Sequence, residues 1–211
     1  LFGLETLSIG VYVLTGVLPK SSKASEASLK YLLLGSFSSA LFLYGAALLY
    51  GASGSLSLAG LAKYFQSGSI STMGLIGMGL LLVGFSFKVA AVPFHMWTPD
   101  VYDGAPSPIT GFMSVGVKAA AFAAFLRVFF ECFGSAQVTW SHILWILAAL
   151  TMILGNLAAL VQSNIKRMLA YSSIAHAGYI LVGMVAGTAM GAAGILYYLL
   201  AYIFTNLGAF A

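Results

Sequence analysis

The sequence predicts an all-α fold, a polytopic transmembrane helix bundle. Three observations carry that prediction. Of 211 residues, 61% are hydrophobic and only 7% are charged, whereas a soluble domain carries about 25% charged residues. The mean hydropathy is +1.00. The apolar residues gather into seven segments of roughly 18–22 residues, each long enough to cross about 30 Å of hydrocarbon as helix. A β-barrel needs alternating segments of about 10 residues, and none occurs. So few charges cannot cover a water-facing surface, which excludes a soluble enzyme, a disordered tail and a nucleic-acid-binding module. The surroundings implied are a lipid bilayer, with no nucleic acid as partner.

The segments follow in order. The first is 1–18, then a polar gap at 19–30 holding Lys20, Lys23, Glu26 and Lys30. The second is 31–50, followed by a Gly/Ser-rich connection, 51–72, that carries only Lys63. The third is 73–92, and the stretch PFHMWTPDVYDGAPSP occupies 93–108. The fourth, fifth and sixth are 109–130, 142–161 and 169–187, and the seventh runs from about 192 to 211. Leu1 and Ala211 both fall inside apolar runs. Residues 1–211 are therefore expected to be a single transmembrane domain of about seven segments, truncated at both ends, from a longer polypeptide.

Alternate gaps lie on the same side. Those at 19–30, 93–108 and 162–168 hold five Lys/Arg; those at 51–72, 131–141 and 188–191 hold only Lys63. The positive-inside rule assigns the first group to the negative side of the membrane. One cysteine, Cys132, and three scattered histidines supply no zinc or iron–sulfur ligand set. No GxGxxG precedes a helix, so no dinucleotide fold is expected. No cofactor and no metal are assigned to this chain.

Three ionisable residues fall deep within apolar segments. Glu5 lies roughly 20 Å and Lys118 roughly 18 Å from the basic side, and Lys88 roughly 23 Å from the other, at 1.5 Å per residue. A charged lysine at mid-membrane costs about 2.5–3.5 kcal/mol on insertion scales. Desolvation disfavours a lysine's charged form and a nearby carboxylate favours it. A lysine whose carboxylate neighbour comes and goes is thus a switchable proton site. The competing reading is a purely structural ion pair; two lysines and a glutamate at matching depth favour the functional one.

Pro93 stands five residues after Lys88. Inside a helix it removes one hydrogen bond and displaces the carbonyl of Val89, giving a proline-broken helix of the kind transporters place at mid-membrane. Alternatively it ends the third helix, leaving 93–108 at the interface with Trp97 and Tyr102 as belt anchors. His95 and His176 can relay protons, since imidazole titrates near neutral pH. Ser172, His176 and Tyr179 share one face of the sixth segment, which serves a hydrated path or interhelical hydrogen bonding equally well. Arg127 and Glu131 form an i,i+4 pair of structural character. Asp100 and Asp103 lie on the basic side, where they can cap a helix start or attract protons.

Phe87 to Phe122, FKVAAVPFHMWTPDVYDGAPSPITGFMSVGVKAAAF, resembles the antiporter-like membrane subunits of proton-pumping NADH:quinone oxidoreductase, respiratory complex I. LFGLETLSIGVYVLTG, EASLKYLLLGSFSSALFLYGAALLYG and NIKRMLAYSSIAHAGYIL extend the resemblance over essentially the whole chain. EASLKYLL with WTPDVYDGAP leans toward subunit N. The PxHxWxPD element also occurs in Mrp-type sodium/proton antiporters, the alternative reading. The resemblance implies an antiporter-like fold with inverted repeats and a helix broken at mid-membrane. It implies that Glu5 and Lys88 form a modulating pair and that Lys118 passes protons onward to a lysine beyond Ala211. It also implies that NADH, flavin, iron–sulfur clusters and quinone are handled by partner subunits. The chain would couple quinone reduction elsewhere to proton transfer through its buried Lys/Glu sites. Other membrane subunits are the implied partners. A bacterial inner membrane is the implied location, or the energy-transducing membrane of an organelle.

Overall fold

The computed structural model describes residues 2–211; Leu1, the start of the first expected segment, lies outside the described residues. Every element among the described residues is helical: α1 (Phe2–Thr15), α2 (Ser22–Ser53), α3 (Leu58–Gln66), α4 (Thr72–Val89), α5 (Trp97–Gly104), α6 (Ser107–Phe112), α7 (Lys118–Cys132), α8 (Gln137–Leu160), α9 (Ile165–Ala186) and α10 (Ala189–Phe210). A π-helical turn, Met113–Val117, joins α6 to α7, so Ser107–Cys132 forms one continuous rod of 26 residues. Among the described residues, six rods are long and apolar enough to cross a bilayer. The first expected segment is shorter, because α1 has only 14 residues, about 21 Å of helix.

Local chemistry explains the boundaries. Ser21, Ser57, Ser71 and Thr188 each accept a backbone N–H of the following turn, and Asn164 accepts two, as N-cap side chains do. Gly54 and Gly187 close α2 and α9 in the left-handed region (φ 70° and 59°), where glycine is the least strained residue. The sequence reading missed α3 in the 51–72 connection. It also placed 19–30 in a gap, although α2 begins at Ser22, so Lys23, Glu26 and Lys30 sit on its first turns.

α2 packs along α4 and α8 along α9, while the short α5 is wedged between α2 and α9. Small residues permit the close approaches. A Cβ on Gly77 would sit 2.9 Å from the Gly45 carbonyl, and one on Gly155 would sit 2.7 Å from the backbone nitrogen of Ala175. Phe85 stacks on Phe125 at 4.9 Å, and Phe129, Phe133 and Trp140 continue edge-to-face. This aromatic ladder ties α4 and α7 to α8. A second cluster gathers Tyr12, Tyr31, Trp97 and Tyr102, with Tyr31 stacked on Trp97 at 4.5 Å.

Candidate functional site

The site is built around the break between α4 and α5. The helix stops at Val89, four residues before Pro93, so Pro93 lies within the connection and not inside a helix. The opening expected at the Val89 carbonyl is thereby replaced by a capped end. Ala90 takes the left-handed conformation (φ 62°); its N–H donates to Phe87 and that of Ala91 to Ser86. Two side chains from elsewhere complete the break. The Trp97 Nε1 donates to the Phe87 carbonyl at 3.1 Å, and Thr151 Oγ1 on α8 accepts from the Val92 N–H at 2.9 Å. The Val92–Pro93 peptide is cis. Trp97 and Tyr102 are 4% and 1% exposed; they are core residues of the break and not interfacial anchors, because the aromatic stack on Tyr31 buries them.

Lys88 occupies the last turn of α4, about 24 Å along that helix from Thr72. Its Nζ donates to Ser8 Oγ on α1 at 2.6 Å. Ser8 in turn donates to the Leu4 carbonyl at 2.8 Å. Glu5, one turn earlier on α1, accepts from Ser39 Oγ of α2 at 2.8 and 2.9 Å, one distance to each carboxylate oxygen. The sequence reading paired Glu5 with Lys88. Glu5 and Ser8, the acceptor of Lys88, stand on adjoining turns of α1, but among the described residues no ion pair within 4.0 Å joins Glu5 to Lys88. Ser8 and Ser39 take the places of the partners. A cavity of about 160 Å3 opens beside Lys88, walled by Ser8, Val117, Ala120, Ala121 and Ala124 among others, with room for several waters.

Lys118 directly follows the π turn, and its residue is only 3% exposed. It donates to the Ser173 carbonyl at 2.7 Å and to Ser173 Oγ at 2.5 Å. Tyr202 of α10 donates to the same Ser173 Oγ at 2.8 Å, and the Tyr202 ring centroid is 6.0 Å from the ammonium. One turn along α9, His176 Nδ1 lies 2.5 Å from Tyr198 Oη, with its ring 5.0 Å from that of Tyr202. Lys118, Ser173, Tyr202, His176 and Tyr198 therefore form one polar patch across α7, α9 and α10. The sequence reading chose Ser172 and Tyr179 as companions of His176. His176 bonds Tyr198, and its ring meets that of Tyr179 edge-to-face at 5.6 Å, while the Tyr179 hydroxyl accepts from Asn156 of α8 and Ser173 is the serine turned toward Lys118. No hydrogen bond among the described residues joins Lys88 to Lys118 or to His95.

His95 lies in the break, with Nδ1 buried and bonded to nothing in the protein; Tyr12 Oη, Ser38 Oγ, Ser86 Oγ and Thr98 Oγ1 share that condition. Buried polar atoms without protein partners mark places suited to ordered water.

The end of the bundle where the basic gaps meet is a charged cluster. Lys23 pairs with Asp103 at 2.8 Å; Lys30 pairs with Glu26 at 2.7 Å and Asp100 at 2.9 Å; Arg167 pairs with Asp100 at 2.6 Å. Lys166 donates to the carbonyls of Asp103 and Ala105, and Asn164 to the Asp103 carboxylate. The three gaps assigned to one side by alternation do meet there. Burial pushes the Asp100 carboxyl up, but hydrogen bonds from Arg167 and Lys30 outweigh it and hold the carboxyl below the usual range. Arg127 and Glu131 form their i,i+4 pair at 3.2 Å.

Residues 1–211 match the transmembrane family described as NADH:quinone oxidoreductase/Mrp antiporter. The chain is 58% identical over 211 residues to NADH-quinone oxidoreductase subunit N of Trichlorobacter lovleyi, covering 99% of this chain and 43% of that protein. It is 51% identical over 208 residues to NAD(P)H-quinone oxidoreductase subunit 2 of a Synechococcus species, covering 99% and 40%. It is similar to a chain of respiratory complex I from Thermus thermophilus with bound aureothin, at TM-score 0.83 and 45% identity, covering 99% of this chain and 44% of that one. It also resembles a chain of the Mrp complex from Dietzia, at TM-score 0.88 and 25% identity, covering 98% and 39%. The chain spans about two fifths of the length of the curated relatives it matches. With a match along its whole length and an antiporter-like helical fold, the chain belongs to the NADH:quinone oxidoreductase/Mrp antiporter transmembrane family.

Proposed function

We propose that residues 1–211 act as one membrane unit of a proton-translocating subunit of NADH:quinone oxidoreductase. Quinone reduction in partner subunits drives proton transfer through Glu5, Lys88 and Lys118. NADH, flavin, iron–sulfur clusters and quinone belong to those partners, which include further membrane subunits. The host membrane is the bacterial inner membrane. The observation that carries this reading is the burial of two lysines on neutral partners. Lys88 bonds a serine hydroxyl, and Lys118 bonds a serine hydroxyl and a carbonyl. Neither is fixed in an ion pair within 4.0 Å among the described residues, and ionisable groups at this depth are functional by default. These lysines lie where a proton can be gained and lost.

A proton leaves the Lys88 ammonium for water in the adjoining cavity and is taken up by Lys118 after that lysine has released its own proton onward. Glu5 sets the balance, since an approaching carboxylate favours the charged lysine and a receding one releases its proton. Moving one charge across 100 mV requires about 2.3 kcal/mol, comparable to a change of about two units in a lysine pKa. His176 and Tyr198 extend the polar patch beyond Lys118; His95 serves the break as a relay.

Replacing Lys88 with Ala in the full-length subunit tests the reading. NADH-driven acidification of inverted membrane vesicles is expected to fall at least several-fold while the complex still assembles. Undiminished pumping by an assembled Lys88→Ala complex would sink the proposal. The fold likeness to the Mrp complex favours a second reading, sodium/proton antiport. Sodium-dependent proton movement without NADH in the same vesicles would select it.

A further inference from the structure

We propose that Ser39 and Ser8 are positioning residues, a two-serine latch that holds Glu5 and Lys88 apart and sets when that pair closes. The inference rests on the reading of Glu5 and Lys88 as proton-handling groups. Its ground is the geometry of the two hydroxyls. Ser39 faces both oxygens of Glu5, so its single proton is shared across the carboxylate and holds that group on α2, with no ion pair to Lys88 within 4.0 Å among the described residues. Ser8 has its own proton committed to the Leu4 carbonyl. It therefore offers Lys88 only lone pairs and acts as a fixed acceptor.

Glu5 and Ser8 are three residues apart on α1, which places their side chains on neighbouring positions of one helix face. A lysine has four rotatable carbons, so passing from Ser8 to Glu5 is a short swing and needs no helix movement. The choice between the two acceptors then depends on whether Ser39 retains the carboxylate. Ser8 and Ser39 are 6% and 8% exposed, so bulk water is a weak competitor for either bond. The neighbouring Ser38 is buried with no protein partner; the general availability of hydroxyls on α2 does not account for the Ser39 contact.

The groups facing Lys88 are few. α1 supplies Glu5, Ser8 and, one turn further on, Tyr12, whose buried hydroxyl bonds nothing in the protein. The α7 wall of the cavity, Val117, Ala120, Ala121 and Ala124, carries no charge. Lys118 is engaged by Ser173. Glu5 is thus the anion within reach that can hold the Lys88 proton, and Ser39 is the group bonded to that anion.

The test measures NADH-driven pumping over a pH series in vesicles carrying the full-length complex. Ser39→Ala frees Glu5 to close on Lys88, which retains its proton longer, so half-maximal pumping moves to higher pH by about one unit. Ser39→Thr keeps the hydroxyl and restores the original profile. An unshifted profile in a pumping S39A complex overturns the latch, and so does an equal shift in Ser39→Thr, which would trace the effect to packing. Should S39A not assemble, Ser8→Ala carries the test: without its resting acceptor Lys88 moves to Glu5 and the profile shifts the same way, and no shift overturns the latch. Undiminished pumping by Lys88→Ala would instead fault the underlying reading, which keeps the two failures distinct.

Discussion

Lys118 shows what a single residue contributes. It meets no carboxylate within 4.0 Å among the described residues; its ammonium is held by Ser173 and faced by the Tyr202 ring. Such a neutral cage tolerates loss of the proton without leaving an orphaned anion behind. Arginine in its place would keep the charge but cannot be deprotonated in a protein. Lys118→Arg is therefore expected to lower pumping at least about tenfold at neutral pH while quinone reduction by the complex continues; the ratio of protons moved to NADH oxidised checks this. An unchanged ratio would mean that proton release from this side chain is not required. Sequence alone singled out Glu5, Lys88 and Lys118 as candidates, because ionisable groups stand out against apolar runs. It did not reach Ser8, Ser39, Ser173 or Tyr202. Hydroxyls are common in membrane helices, and what distinguishes these four is contact across helices with Glu5, Lys88 or Lys118.

Among the elements, α2 and α4 depend closely on each other. α2 carries Ser39 and α4 carries Lys88, and the two meet through Gly45 and Gly77. Gly77→Val places atoms against the Gly45 carbonyl and the Leu49 side chain, each 2.9 Å from the new Cβ. Overpacking of this kind costs about 1–3 kcal/mol. Thermal unfolding of the detergent-solubilised complex should show it as a lower midpoint. Gly79→Ala, with nothing within 4 Å of its Cβ, should leave the midpoint nearly unchanged, and equal losses for both would refute the close-approach argument. The break between α4 and α5 teaches a related lesson. Pro93 announced that the helix does not run on, but it could not announce where the helix stops. The stop falls at Val89, because Ser86 and Phe87 accept from Ala91 and Ala90 and because Trp97 and Thr151 satisfy the remaining groups. The π turn before Lys118 had no sequence signal at all, as expected of a feature that often marks functional positions inside helices.

At the scale of the whole molecule, the charged end binds segments that are far apart in the chain. Asp100 on α5 is shared by Lys30 of α2 and Arg167 of α9, so one short helix is tethered to both neighbours. Exposed ion pairs are individually weak, and the effect of Asp100→Asn on overall stability should be small. Its pH dependence is the sharper expectation. The folded-state carboxyl is held below the usual range, so its contribution is present above the unfolded value near pH 4 and is lost as pH falls through the folded value. Wild-type stability in detergent should therefore decline below about pH 4 more steeply than that of Asp100→Asn. Parallel acid profiles would mean that the tether does not operate.

Composition determined that this chain lives in a bilayer, because 7% charge cannot solvate a surface. Alternation of the segments determined which gaps share a side, and loop charge which side that is, because the positive-inside bias acts on local lysines and arginines. Depth along each run determined which ionisable groups are stranded in hydrocarbon, because helix rise per residue is constant. Which groups answer them was decided only by tertiary structure. Glu5 meets Ser39, Lys88 meets Ser8, and Lys118 meets Ser173 with Tyr202, through contacts that close only when helices from distant parts of the chain pack side by side. The strength and direction of a hydrogen bond depend on a few tenths of an ångström, and no pattern along one helix carries that information about another.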